Sequence, residues 1–407
     1  MPATGQTTKS ARPTRAPAAR ALVVGVALTA ALGVTSRASA AVASFRGLGY
    51  FSERGDGRYS TAGAISRDGR TVAGITGTPG RYYAYRWTAA GGMVPALYWG
   101  DTLDSERITG ISDDGRVIVG SHSDFIGGSP MAYRDVPGAV TPHYMPLWFS
   151  PPFSVTRAVS ADGSIAAGQL AFRDGNTTTL FGFLWYPAGG HPTATPADGT
   201  YGDVTGMSAD GFTLVGTTGT DPAVNQQAYL WSAPETWVLL GDLPGGAFSS
   251  AARSVSSDGT IVVGQGTSAS GPEAFRWTAA GGMTGLGDLP GGAFDSVAVD
   301  LSDDGSVVVG MGTSALGREP FVWDAAHGMR PLQAVLAAAG LDLAGWRLTD
   351  VAGVSVDGLT IAGTGIDPAG GTQAWVATLP EPAGAAVFLA AIVPTLRRRR
   401  VSDGLTR

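Results

Sequence analysis

The sequence predicts an all-β chain, a seven-bladed β-propeller of four-stranded blades closed by its own N-terminal strand. Three observations carry that expectation. Ser-x-Asp-Gly, followed five residues after its glycine by a second glycine, recurs at Asp68-Gly69, Asp114-Gly115, Asp162-Gly163, Asp210-Gly211, Asp258-Gly259, Asp304-Gly305 and Asp357-Gly358. These anchors stand about 48 residues apart, a period that marks an array of supersecondary units. The segments between anchors read as short β-branched or alternating strands separated by Gly-rich turns, four to a unit, as in propeller blades.

The fifth unit shows the reading most clearly. Ser250 to Ser256 is a first strand of small residues, and Ser257-Asp258-Gly259 is a turn, because Asp-Gly readily takes positive backbone dihedrals. Ile261-Val262-Val263 is a β-branched second strand. Ala274-Phe275-Arg276-Trp277 alternates as a third, and Met283 to Leu289 forms a fourth.

The same columns run through every unit. An apolar residue precedes each anchor serine: Ile65, Ile111, Val159, Met207, Val255, Leu301 and Val354. The third strand carries an aromatic column, Tyr85, Tyr133, Phe183, Tyr229, Phe275, Phe321 and Trp375. Two residues on stand Trp87, Trp185, Trp231, Trp277 and Trp323, with Asp135 and Ala377 as exceptions. Residues two apart share a strand face, so this pair reads as a ring-rich layer between neighbouring sheets.

The ends of the array agree with closure. The last unit stops after its third strand, at Ala374 to Leu379, while residues 43–48 precede the first unit and match the end of a fourth strand. That N-terminal segment is expected to complete the last blade, leaving no free edge. Three irregularities are expected: an insertion over residues 136–152, a long loop over residues 173–179 with a weak fourth strand near His191, and a short helix over Leu332 to Ala339.

Both termini read as targeting segments. Residues 1–20 are basic, Ala21 to Val34 is apolar, and Ala38-Ser39-Ala40 places small residues where a signal peptidase cuts. This is the order of a secretory signal over residues 1–40, with the mature chain starting at Ala41. At the other end Pro380-Glu381-Pro382 is followed by an apolar run over residues 383–396 and then Arg397-Arg398-Arg399-Arg400. Arginines are costly in lipid and hold such a segment on the cytoplasmic side. The three parts over residues 380–407 resemble the PEP-CTERM sorting signal of Gram-negative bacteria, with Pro394 inside the apolar run and the extension 401–407 as departures. The resemblance implies export by the Sec machinery, transient anchoring in the inner membrane through 383–396, and processing by an exosortase-type enzyme. It also implies display at the cell surface or outside it, in company with exopolysaccharide export.

Between those segments lies the seven-repeat propeller, residues 41–379, of which about residues 43–379, with their Ala-Phe-x-Trp strands and Ser-x-Asp-Gly hairpins, resemble the HAF repeats of bacterial extracellular proteins. That family brings no catalytic residues to carry over.

Composition narrows the chemistry. The 407 residues contain no cysteine, which excludes disulfides, thiolate metal sites and cysteine nucleophiles. Outside the two terminal segments the chain holds 17 cations and 31 acids, a net of −14, which disfavours nucleic acid as a partner. His122, His143, His191 and His327 fall in or beside expected loops without metal-ligand spacing. The anchor aspartates are explained by hairpin chemistry rather than calcium, since the turns of separate blades are expected to lie far apart. No catalytic residue, metal or cofactor is assigned. Aromatic residues of the loops joining blades, above all Trp99, Trp148 and Phe149, are the candidate ligand-binding residues, for a glycan or a surface protein. Phe248 and Phe294, both in Pro-Gly-Gly-Ala-Phe, are expected to plug their own loops. The resulting expectation is a non-enzymatic binding or structural protein linked to exopolysaccharide or a biofilm matrix. A polysaccharide lyase or hydrolase and a purely structural spacer are the alternatives.

Overall fold

A computed structural model describes residues 43–51, 58–78, 81–96, 105–123, 130–136, 143–144, 153–175, 177–186, 189–192, 201–220, 225–233 and 236–380. All of them belong to one compact unit. The signal segment with Ala38 and Ala40, the sorting residues after Pro380, and Trp99, Trp148 and Phe149 lie outside the described residues.

The chain is all-β apart from one helix. After β1 (Ser44–Gly47) come β2 (Tyr59–Ile65), β3 (Thr71–Thr78), β4 (Arg81–Thr88) and β5 (Gly92–Pro95). Next are β6 (Ser105–Ile111), β7 (Ile118–Ser123), β8 (Met131–Asp135) and β9 (His143–Tyr144), then β10 (Phe153–Val159), β11 (Ala166–Asp174), β12 (Thr177–Tyr186) and β13 (Gly189–Pro192). They are followed by β14 (Tyr201–Met207), β15 (Thr213–Gly219), β16 (Gln227–Ser232) and β17 (Thr236–Gly241), and by β18 (Ala251–Val255), β19 (Ile261–Ser268), β20 (Gly271–Thr278) and β21 (Gly282–Gly285). The chain ends with β22 (Gly291–Leu301), β23 (Val307–Ser314), β24 (Gly317–Asp324), β25 (Gly328–Pro331), α1 (Leu332–Ala338), β26 (Arg347–Val354), β27 (Thr360–Ile366) and β28 (Thr372–Thr378).

From β2 to β25 the strands form successive antiparallel meanders of four, and β26, β27 and β28 form a three-stranded run whose outer edge is taken by β1. The β1–β28 register pairs Phe45 with Ala377 and Gly47 with Trp375. Single parallel bridges join β2 to β28 and β12 to β14, at Tyr59–Thr372 and Leu180–Tyr201. The expected loop over 173–179 is instead an extension of β11 and β12, which stay paired out to Asp174 and Thr177 around Gly175. The cause is local, since a glycine with φ of 58° turns the hairpin and the threonines that follow suit a strand. Among the described residues no helix is long and apolar enough to cross a membrane.

Each inner strand carries the same distortion. A register shift falls between Ala62 and Ala64 in β2, and at the equivalent place in the other first strands, so that one residue bulges: Gly63, Thr109, Arg157, Thr205, Arg253, Val299 and Ala352. The partner just before each bulge is the second conserved-spacing glycine of the repeat, for example Ala252 opposite Gly264. On its other side Gly264 faces Phe275. A Cβ on Gly264 would stand 2.1 Å from the Ala251 carbonyl oxygen, so only glycine fits there. At the equivalent Gly74, Gly216, Gly310 and Gly363 the aromatic ring of the third strand also lies within 3.0 Å of where a Cβ would stand. All residues of that aromatic column are buried, and the clusters they join span neighbouring meanders. The core therefore lies between successive sheets, as the columns predict. The two exceptions in the tryptophan column are both compensated. Asp135 is buried against the Arg86 guanidinium at 2.5 Å, and Ala377 faces Phe45 of β1.

The Ser-x-Asp-Gly turn is one hydrogen-bonding device used throughout. In the fifth copy Ser256 Oγ donates to Asp258 Oδ1 at 2.7 Å and accepts from the Ile261 N–H at 3.0 Å, while Asp258 Oδ1 accepts the Thr260 N–H at 3.0 Å. The Gly259 N–H closes the turn on the Ser256 carbonyl at 2.9 Å. Only the glycine, with φ of 75°, leaves the ordinary backbone region, so the expected positive dihedral belongs to Gly259 and not to the aspartate.

These turns do not lie apart, which corrects the sequence-based expectation. Their second residues are linked turn to turn. The Val356 N–H donates to the Arg67 carbonyl, Asp303 to Val356, Ala209 to Ser257, Ala161 to Ala209 and Asp113 to Ala161, at 2.8 to 3.1 Å. Side chains serve the two remaining joints. Ser257 donates its N–H to Asp303 Oδ1 at 3.3 Å and its hydroxyl to the same oxygen. Arg67 Nε stands 3.6 Å from Asp113 Oδ1, and its Nη2 bonds Asp303. The turns converge because the first strands they terminate pack side by side.

Candidate functional site: a cavity lined by the inner strands

A cavity of about 800 Å3 is lined by the bulged residues of β2, β6, β10, β14, β18, β22 and β26. The apolar residues that precede the anchor serines line it further along, down to Arg67, Asp113 and Val356 of the linked turns. An adjoining cavity of about 550 Å3 opens beside β2, β6 and β26 and is lined by Arg107 and Asp350. The strand bulge explains the placement, since it re-aims one side chain per strand out of the ladder.

The lining is charged and uneven. Arg157, at the bulge of β10, donates from Nε to Asp203 Oδ1 of β14 at 3.1 Å. Burial pushes the Asp203 carboxyl up from its ordinary value, and the Arg157 and Arg253 charges pull it back down. Thr109 and Thr205 turn their hydroxyls to the neighbouring strands, donating to the Thr156 carbonyl at 2.7 Å and the Ala252 carbonyl at 2.9 Å. Arg253, the bulged residue of β18, is exposed into the cavity.

Carboxylates line the two inner strands that follow, β22 and β26. The position after each bulge is small in every inner strand but one: Ala64, Gly110, Ala158, Gly206, Ser254 and Gly353, against Asp300 in β22. Asp300 Oδ1 accepts the Ser254 hydroxyl at 2.8 Å and Oδ2 accepts the Val354 N–H at 2.9 Å. Gly353 is needed beside it, because a Cβ there would stand 2.8 Å from Oδ2. Burial raises the Asp300 carboxyl above its ordinary range. Burial also raises that of Asp350, which accepts the Val351 N–H at 2.9 Å.

The histidines are not loop residues as a group. His122 is buried within β7, His143 falls in β9 and His191 in β13. His327 lies in a turn, where its Nδ1 pairs with Asp324 Oδ1 at 2.8 Å. Among the described residues no group of three or more His, Cys, Asp or Glu side chains could hold a metal ion. Phe248 does not plug its loop: it is 49% exposed, whereas Phe294 is half-buried. The Asp242 carboxylate holds the Phe248 loop instead, accepting N–H groups from Leu243, Ser249 and Thr267. The cavity residues were missed in sequence because a bulge has no composition of its own. The one visible signal was the solitary Asp300 in a column of small residues.

No protein-family profile and no curated protein matches the chain. Solved structures share its all-β fold at low identity. An oligogalacturonate lyase in complex with manganese is 13% identical over 79% of this chain and 89% of its own, with a TM-score of 0.53. A prolyl endopeptidase is 12% identical over 80% of this chain and 51% of its own, with a TM-score of 0.50. The β-propeller domain of the Trilobed protease from Pyrococcus furiosus is 12% identical over 67% of this chain and 83% of its own, with a TM-score of 0.47.

Proposed function

We propose that the chain is a seven-bladed β-propeller closed by β1, exported and displayed at a bacterial surface, where it binds exopolysaccharide or another matrix component without turning it over. The pairing of β1 with β28 and the chain of turn-to-turn bonds that returns to Arg67 support the closed seven-bladed reading. The resemblances to HAF repeats and to the PEP-CTERM signal support export, with the Sec machinery and an exosortase-type enzyme as partners in biogenesis.

One observation carries the binding role. The columns that packing dictates are uniform from repeat to repeat: aromatic, glycine, serine, aspartate. The bulged column is not. Gly63, Thr109, Arg157, Thr205, Arg253, Val299 and Ala352 share no size or charge, yet all face one cavity. Residues that packing leaves free and that converge on a concavity are the ordinary material of a ligand site.

A second reading, a polysaccharide lyase or hydrolase, is favoured by Asp300 and Asp350, two carboxyls raised by burial at the same cavity. A glycan array run with a depolymerisation assay on the purified protein separates the readings. Binding without cleavage supports the proposal, cleavage overturns it in favour of an enzyme, and neither leaves a structural spacer.

A further inference from the structure

Resting on that binding role, we infer that the cavity takes a carboxylate-bearing sugar chain, with its acid group on Arg253 and its hydroxyls turned to Asp300 and Asp350. The argument begins with register. Arg157 and Arg253 occupy the same bulged position two repeats apart. Arg157 finds an acid on the next inner strand because Asp203 stands two residues before the bulge of β14. The equivalent residue on the strand after Arg253 is Val297. Arg253 therefore lacks the direct partner its counterpart has: among the described residues its side chain makes no hydrogen bond or salt bridge, and Asp203, already bonded by Arg157, feels only its charge. The Arg107 side chain, in the adjoining cavity, makes none either among the described residues.

A guanidinium that bonds no carboxylate inside a cavity is unusual in a body with a net charge of −14, where acids are plentiful. Its planar fork of donors matches a carboxylate in two parallel hydrogen bonds. On the next inner strands, β22 and β26, the carboxylates of Asp300 and Asp350 offer acceptors, which a bare inorganic anion cannot use and would be repelled by. A ligand satisfying both needs a negative group flanked by several hydroxyl donors. A hexuronate oligomer has that pattern. The volume, about 800 Å3, lies within the range of about 300–1,000 Å3 usual for small-ligand sites.

Calorimetry on the purified full-length protein with three probes tests the inference: a β-1,4-mannuronate trimer, the neutral β-1,4-mannotriose, and citrate. The trimer should bind at least about tenfold more tightly than mannotriose, and citrate should bind more weakly than the trimer. Arg253→Gln should lower affinity for the trimer about tenfold and leave mannotriose unchanged. Its melting temperature, and a second variant, Arg253→Lys, guard against misfolding; the lysine should restore part of the affinity. Equal binding of the two trisaccharides would overturn the acid preference while leaving the glycan-binding role in place. Citrate binding as tightly as the trimer would overturn the sugar class. Binding of none of the three would overturn the inference and leave the binding role to be decided by the glycan array.

Discussion

Phe45 lies directly opposite Ala377 across the β1–β28 pair and packs its ring 5.1 Å from Trp346 and 6.0 Å from Trp375. In three other repeats the bulk is distributed the other way, with tryptophan on the third strand facing methionine on the fourth: Trp87 opposite Met93, Trp277 opposite Met283 and Trp323 opposite Met329. The last meander thus draws its large outer side chain from the start of the described chain. Tyr50 reinforces the join, donating its hydroxyl to Asp367 at 2.6 Å. Phe45→Ala should destabilise the protein by about 2–3 kcal/mol, below the about 3–5 kcal/mol of a fully buried phenylalanine truncation because the ring is half-buried. Chemical denaturation followed by tryptophan fluorescence measures this. A change below about 0.5 kcal/mol would mean that β1 adds no packing to β28.

The anchor turns should make the fold acid-sensitive. Asp114, Asp210 and Asp258 are held below the ordinary carboxylate value first by the serine hydroxyl two residues earlier, and Asp162 first by the Ser164 N–H. A folded pKa below the unfolded one means stabilisation present above the ordinary value of 3.8 and lost as pH falls through the folded values. Ser256→Ala removes one hydroxyl that serves both Asp258 and the Ile261 N–H. It should cost about 1–2 kcal/mol at neutral pH and less below about pH 3. Denaturation curves at the two pH values check the sign; a cost that grows on acidification would refute the assignment.

How far the sequence revealed this molecule follows from which residues are repeated. Phe275, Gly264 and Asp258 recur in register because each satisfies a local demand of every repeat, so strands, turns and core columns were readable. The pairing of residues 43–48 with the last repeat followed from counting strands. What was not readable depends on where repeats meet. Arg67, Asp113 and Asp303 are only the variable residue of Ser-x-Asp-Gly, and nothing local indicates that the turns touch. Arg157 and Arg253 look alike in sequence, and only the register to Asp203 and Val297 separates them. The aromatic loop residues chosen from sequence, Trp99, Trp148 and Phe149, fall outside the described residues, while the cavity that is described is lined chiefly by polar and aliphatic side chains.

Glycine in a strand and glycine in a turn should respond differently to the same methyl. Gly264→Ala places a Cβ 2.1 Å from the Ala251 carbonyl oxygen, a backbone atom that cannot move without breaking the bulge. The expected cost is about 3 kcal/mol or more. At Gly282 the φ of 67° is unfavourable for alanine, but nothing lies within 4 Å of the added carbon. Gly282→Ala should therefore cost about 1–2 kcal/mol, the backbone penalty alone. Equal losses in the two variants, measured by thermal unfolding, would contradict the close approach at Gly264.

Asp300 should act on stability in the opposite sense from the turn aspartates. Burial raises its carboxyl, with the Val354 N–H and the Ser254 hydroxyl opposing. A raised folded pKa means a contribution fully present below the unfolded value and lost as pH rises through the folded one. Asp300→Asn does not titrate; its amide oxygen can keep the Val354 N–H and one amide N–H can donate to the Ser254 hydroxyl, but the second N–H has no acceptor among the groups Asp300 contacts. At about pH 4 the variant should be less stable than the wild type by about 1–2 kcal/mol, the usual cost of an unsatisfied buried donor. As pH rises the wild type alone loses its proton-linked stabilisation, so the gap should narrow toward neutral pH. Paired denaturation curves from about pH 4 to 8 decide the matter. A gap that stays constant or widens would mean that the Asp300 carboxyl ionises without penalty, as a fully hydrated group would, and that the cavity wall around it is open to water.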